Sequence, residues 1–473
     1  MLMLCQLVLF LLISQVRTST IQVRAQRSFF DFFSKAGHYL IDTEIPKVYI
    51  PNITIPITDG PGNGSVSATN LKITKFLTPH IDFQLGDDGI LWQSYGGAVK
   101  ITGDWAAQYA IIIPFYENGW VKSVAVGLNV TLAASVYMEE YKPQFHIMKC
   151  LAAIDDLTVE VGGGVVPWLI NLFRTPLSSA IRSIINKQAC VAAKTIFLIQ
   201  ANEFIKSLPS HIQLNKNFYA HYSLDDNPRF TKKYVEADLS ADLVFGDVPC
   251  KLDRQPWTNP GPNPRMVTVW MSDAIPNCFL STIQQAGGFR FVVTKDEPEM
   301  ERYLRTSCSL LSICIGKFFP ELRKSYPDSY VDLFFNTYEE PLIIYEKDDI
   351  RANFTFSVDM YINPYQTYSD PLARLVLQTS SSVTPLIEGH KVIGTLNDTT
   401  VNLRQDFSRI GNMSSTFMSV FANVFKMSAK VLIETVLAKG ISIPVMDNVT
   451  ISDDSEITVL DRHIRLNLDF KLQ

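Results

Sequence analysis

The chain reads as an α+β protein in which an antiparallel β-meander or barrel is followed by a long helix, with the same order used a second time. Three observations predict this. Between Pro46 and Glu160, short alternating runs are separated by Gly, Pro and Asn turns, the pattern of antiparallel strands rather than of βαβ units. Over residues 162–208 apolar residues recur at spacings of three and four, as on a helix with one buried face. After a Pro-rich stretch, the order of helix, strands, long helix and strand comes round again.

The elements follow in order. Residues 2–13 are an apolar run with small and hydroxyl residues after it, which reads as a secretory signal over 1–19 and predicts a secreted, extracellular protein. The run is short for a membrane span, and no later segment offers the ~20 apolar residues a span needs. Residues 22–42 carry Phe29, Phe30, Phe32, Phe33, Tyr39 and Leu40 and form an aromatic-rich candidate helix stopped by Pro46. Strands are expected at 49–57, 73–76, 90–95, 98–102, 109–115, 121–134 and 157–161.

The long helix places Leu169, Phe173, Leu177, Ile181, Ile184 and Ile185 on its apolar stripe. Pro167 suits its first turn, and Pro176 is expected to kink or split it after Thr175. Strands follow at 218–223 and 234–245. Residues 246–265 are dense in Pro and turn formers, a linker between an N-terminal barrel domain (20–245) and a C-terminal one (266–473). Beyond it come a helix at 273–286, a run of strands, a second long helix at 414–438 and a closing strand at 464–472.

With 473 residues, 47% of them hydrophobic and 19% charged, the chain can bury large cores in two or more domains. Its net charge is -5 and no basic run is longer than Lys232-Lys233, which argues against a nucleic-acid partner. There is no Gly-x-Ser-x-Gly elbow, His-Glu-x-x-His helix or phosphate-binding Gly-rich loop, and the seven histidines lie far apart. The sequence therefore predicts neither an enzyme nor a metal site. Cys5 leaves with the signal, and the six remaining cysteines suit three disulfides in an oxidising compartment. For Cys250, Cys278, Cys308 and Cys314 the pairing stays open. Glycosylation sequons start at Asn52, Asn63, Asn129, Asn353, Asn397, Asn412 and Asn448.

The stretch from Val166 to Cys190, with Trp168-Leu169-Ile170, Leu172-Phe173, Ser179-Ala180 and Gln188-Ala189-Cys190, resembles the long N-domain helix of a known family. That family holds the bactericidal/permeability-increasing protein, lipopolysaccharide-binding protein and the plasma phospholipid and cholesteryl ester transfer proteins. Residues 266–285, Lys317-Phe318-Phe319-Pro320-Glu321 and residues 440–444 resemble further family segments. The resemblance implies an elongated boomerang of two similar antiparallel barrels, each closed by a long helix and joined by a central sheet. It also implies a disulfide between Cys150 and Cys190.

It further implies apolar pockets that hold the acyl chains of a phospholipid or other amphipathic lipid, with Phe29, Phe33, Leu40, Leu169, Phe173 and Leu177 as candidate lining and no other cofactor. A dry slot is what lipid tails need, since each buried methylene contributes ~0.8 kcal/mol. Where the bactericidal member has a cation-rich strand around a tryptophan, this chain has residues 101–113 with Trp105 and no basic residue. Lipid phosphates are gripped by clustered cations, so Trp105 and its neighbouring isoleucines become a candidate contact with a neutral membrane or lipoprotein surface. The expected function is lipid binding or lipid transfer. The alternative is innate-immune recognition of bacterial lipopolysaccharide or another envelope lipid.

Overall fold

The computed structural model describes residues 19–58, 60–87, 89–163, 167–207, 211–215, 218–245, 248–250, 265–298, 300–309, 312–367, 370–443, 445 and 449–472. The chain opens with β1 (Ile21–Gln26) and α1 (Arg27–Glu44). Six strands follow: β2 (Ile53–Ile57), β3 (Asn63–Leu77), β4 (His80–Gly86), β5 (Gly89–Ala110), β6 (Pro114–Glu139) and β7 (Lys142–Gly162). Helix α2 (Pro167–Ser207) is next. Then come β8 (His211–Asn215), β9 (Phe218–Leu224), β10 (Arg229–Phe230), β11 (Tyr234–Phe245) and β12 (Val248–Pro249).

The second half starts with β13 (Val267–Ser272) and α3 (Ala274–Gln285). It continues with β14 (Phe291–Val293), short helices α4 (Glu301–Leu304), α5 (Ile315–Phe318) and α6 (Pro320–Ser325), and β15 (Val331–Thr337). Strands β16 (Leu342–Glu346), β17 (Asp349–Ile362), β18 (Ala373–Glu388) and β19 (Lys391–Ser408) lead to α7 (Ser415–Lys439). Strands β20 (Ile441–Ser442), β21 (Val449–Ile451), β22 (Glu456–Leu460), β23 (His463–Leu468) and β24 (Phe470–Leu472) finish the chain.

Two curled antiparallel sheets form the wings of the boomerang, β2-β3-β5-β6-β7 and β14-β15-β17-β18-β19-β20. The sheet between them runs β22-β23-β13-β1-β11-β9-β8. Strand β1 joins the halves, because Val23 pairs with Ala237 on one side and Val269 on the other. Charge is balanced there: the Arg24 guanidinium lies 4.3 Å from the Tyr234 ring centre and 5.1 Å from that of Trp270, and its Nε donates to Glu236 at 2.8 Å. Arg229 also pairs with Glu236 and, at 3.1 Å, with Asp238.

The structure differs from several expectations. Residues 22–26 are strand, not helix, because Ile-Gln-Val-Arg-Ala-Gln alternates and finds ladder partners on both edges. The runs expected at 90–95 and 98–102 are one strand, β5, that accommodates Gly96 and Gly97 as a ladder irregularity opposite β6. The run expected at 109–115 is instead a hairpin, with β5 ending at Ala110 and β6 starting at Pro114. Pro176 does not break α2. Phe173 and Leu177 on either side of it are both fully buried against the same core, so packing keeps the helix continuous where local preference alone favours a break.

All six described cysteines are paired: Cys150–Cys190, Cys250–Cys278 and Cys308–Cys314. The first ties α2 to β7, as the resemblance implied. Among the described residues, no helix is long and apolar enough to cross a membrane.

Candidate functional site: the slot under helix α2

Helix α2 lies over the inner face of the N-terminal sheet. Phe173, Leu177, Ile181, Ile185 and Ala193 share one core with inward residues of β2, β3, β5, β6 and β7. Two adjoining hollows open between helix and sheet, of about 10 Å³ and about 50 Å³. Ile50, Ile101, Ile184 and Ile185 line both. The wider one extends past Phe76 and Leu128 to Gln188 and Ala189, next to the Cys150–Cys190 bridge. Among the described residues the walls are apolar but for two side chains, Ser123 in the narrow hollow and Gln188 in the wide one. This volume is well below the 300–1,000 Å³ of a ligand pocket, so a lipid tail enters only if side chains of α2 move outward.

The candidate lining residues fall apart in space. Phe173 and Leu177 are in the core beneath α2 but line neither hollow. Phe29 packs on the central sheet, its ring centre 6.1 Å from that of Phe470, so it is not a slot residue. The side chains of Phe33, Leu40 and Leu169 lie outside the described residues. The lining comes from one helical step further on, Ile181, Ile184 and Ile185. Their closeness to Cys190 in sequence is the signal that could have pointed to them.

Trp105 is not at a membrane-facing tip. It is 1% exposed, its indole N–H donates to the Gly162 carbonyl at 3.1 Å, and its ring lies 4.8 Å from that of Phe173. Residues 101–109 alternate, and the odd-numbered face, on which Trp105 and Tyr109 stand, is the one that α2 covers. The exposed apolar tip is the β5–β6 hairpin beyond it, where Ile112 is 94% exposed and Ile111, Ile113 and Tyr116 are also open.

The outer face of the same sheet carries a feature that sequence reading missed. Lys75 on β3 stands directly opposite Lys100 on β5, and Thr102 pairs with both Lys72 and Lys122. Lysines from three separate strands, Lys72 and Lys75 on β3, Lys100 on β5 and Lys122 on β6, therefore share one patch. Among the described residues only Lys122 of the four is ion-paired, to Glu160 at 3.0 Å.

The C-terminal wing is more open. Ser414 caps α7 by accepting from the Phe417 N–H at 3.2 Å. Phe417 is the one fully buried residue of α7, and Phe425 reaches the rings of Phe335 and Phe356 at 6.5 Å. Val424, Met427, Val431, Leu432 and Val436 are exposed. Of the sequon asparagines, Asn52, Asn63, Asn397 and Asn412 are exposed, Asn129 and Asn353 are half-buried, and Asn448 lies outside the described residues.

Fold and slot together define an elongated two-barrel protein in which a long helix covers an apolar cleft. The chain belongs to the LBP / BPI / CETP family: the family's N-terminal domain matches residues 31–205 and its C-terminal domain residues 212–472. Members of the family are lipid-binding, non-enzymatic proteins. The chain is 22% identical over 460 residues to the bactericidal permeability-increasing protein of Sebastes schlegelii, covering 95% of this chain and 94% of that one. It is 20% identical over 430 residues to the human lipopolysaccharide-binding protein, covering 89% and 87%. The fold matches a crystal structure of lipopolysaccharide binding protein with a TM-score of 0.59 at 16% identity, covering 96% of this chain and 100% of that one.

Proposed function

We propose that this chain is an extracellular lipid-binding and lipid-transfer protein that takes an acyl chain of a phospholipid-like ligand between α2 and the N-terminal sheet. The observation that carries the reading is the apolar lining of the two adjoining hollows, interrupted among the described residues by Ser123 and Gln188 alone. Each methylene moved there from water contributes ~0.8 kcal/mol, so a tail of ordinary length can offset the cost of displacing α2 side chains. The exposed isoleucines of the β5–β6 hairpin and the apolar face of α7 suit contact with the lipid surface from which the ligand is drawn. Three disulfides suit an oxidising, extracellular setting. The domain limits that go with this reading are 20–245 and 266–473.

Native mass spectrometry of the protein secreted from eukaryotic cells, followed by lipid extraction, tests it. One or two lipids per chain are expected, and a protein that flies bare at its glycosylated mass sinks the proposal.

The lysine patch favours a second reading, recognition of an anionic envelope lipid such as lipopolysaccharide, the ligand for which the human relative is named. Like charges placed opposite one another on a sheet are destabilising, so the Lys75–Lys100 pair is easier to explain where an anion binds. Binding to phosphatidylglycerol vesicles that falls steeply with salt, and falls less steeply in Lys75→Ala/Lys100→Ala, is the expected signature. Salt-independent binding would remove this reading.

A further inference from the structure

Ser123 breaks the chemistry of the slot. It stands on β6 between Val121 and Ala125, in the row of side chains that faces α2, and is 2% exposed. Among the described residues its Oγ has no hydrogen-bond partner. Its cross-strand partners are Ile101 on β5 and Val159 on β7, and across the narrow hollow it meets Ile181, Ile184 and Ile185.

A buried hydroxyl without a partner is costly, and alanine or valine at this position would carry no such cost. Water is a poor partner here. A buried water needs two to four polar neighbours, and among the described residues Ser123 is the only polar side chain of this hollow. An oxygen attached to a lipid tail is a better one, because the methylenes on either side of it gain from the aliphatic walls while the oxygen closes the hydrogen bond.

We propose that Ser123 makes the slot selective for amphipathic lipids whose buried acyl chain carries a hydroxyl group, which pairs with the Ser123 Oγ. This rests on the slot being the acyl-chain site. The serine can donate to the chain hydroxyl or accept from it, so either orientation satisfies both groups. An unsubstituted chain also fits but leaves the serine unpaired. One hydrogen bond formed or forgone in a water-free site corresponds to about tenfold in affinity.

The test uses the full-length secreted glycoprotein, wild type and Ser123→Ala, incubated with vesicles of mixed phosphatidylcholines. One has unsubstituted palmitoyl chains. The others have the same chains with a hydroxyl near the carboxyl end, at mid-chain or near the methyl end. Native mass spectrometry counts each lipid bound. The expected result is about tenfold enrichment of one hydroxyl isomer by the wild type. Ser123→Ala takes up as much lipid in total without that preference, and Ser123→Thr, which keeps the hydroxyl, retains it. Ser123→Ala is also expected to unfold at a temperature no lower than the wild type. Equal uptake of all the lipids by the wild type, or undiminished enrichment by Ser123→Ala, overturns the proposal while leaving the slot as an acyl site. No uptake by folded wild-type protein overturns both.

Discussion

The indole of Trp105 on β5 and the ring of Phe173 on α2 lie 4.8 Å apart, and the indole N–H is bound to the Gly162 carbonyl at the end of β7. One side chain thus fastens the helix, the central strand of the sheet and the strand that leads into the helix. Its role is structural. Replacing it with alanine is expected to cost about 3–5 kcal/mol, the range for a large buried aromatic, seen as a lower midpoint in denaturant unfolding. A Trp105→Ala protein of unchanged stability that had lost only membrane binding would restore the tip assignment.

The hairpin isoleucines should behave in the opposite way. Ile112 and Ile113 are exposed, so Ile112→Asp/Ile113→Asp is expected to shift stability by no more than about 0.5 kcal/mol. Flotation with phosphatidylcholine vesicles should fall several-fold, since two apolar contacts are lost and charge is brought to the surface. Unchanged flotation would remove the hairpin from the proposed lipid contact.

The Cys150–Cys190 bridge spans 40 residues, including the whole approach to α2. In the chain-entropy model a loop of that size is worth about 4 kcal/mol. Cys150→Ala/Cys190→Ala is therefore expected to lower the unfolding midpoint of the N-terminal wing and leave the C-terminal wing, held by its own bridges, unchanged. Hydrogen exchange resolved by peptide distinguishes the two. Uniform loss of protection across both wings would mean that the halves unfold as one unit through the central sheet.

Stability should also depend on pH through His463 on β23. Burial holds its imidazole below the ordinary value of 6.5, outweighing the Asp461 backbone bond that favours the charged form. The folded state therefore binds fewer protons than the unfolded state between that lowered pKa and 6.5. This contribution is fully present above about pH 6.5 and is lost as pH falls below it. The unfolding midpoint should drop on acidification from neutral pH, with a shallower slope in His463→Asn.

Much of this was legible in the amino-acid order. The two long helices and the antiparallel strands before the first of them follow from periodicity and turn residues, which are local signals, while the central sheet and the Cys150–Cys190 bridge came from the family likeness; strand β1, which joins the halves, was not legible. Which face of each strand looks inward is not local. On β6 the inward row is Val121, Ser123 and Ala125 before Gly127 and Leu128, Val130 and Leu132 after it. Gly127, at a positive φ of 67°, is skipped in the ladder to β5 and exchanges odd for even. The same long-range pairing buries Trp105, sets Lys75 against Lys100 and turns Ser123 into the slot. The amino-acid sequence by itself determined the two long helices, many of the strand-forming runs and their repeat, because these depend on neighbours along the chain. Only the tertiary structure decided which side chains meet, because strand register and the position of α2 depend on residues far away in sequence.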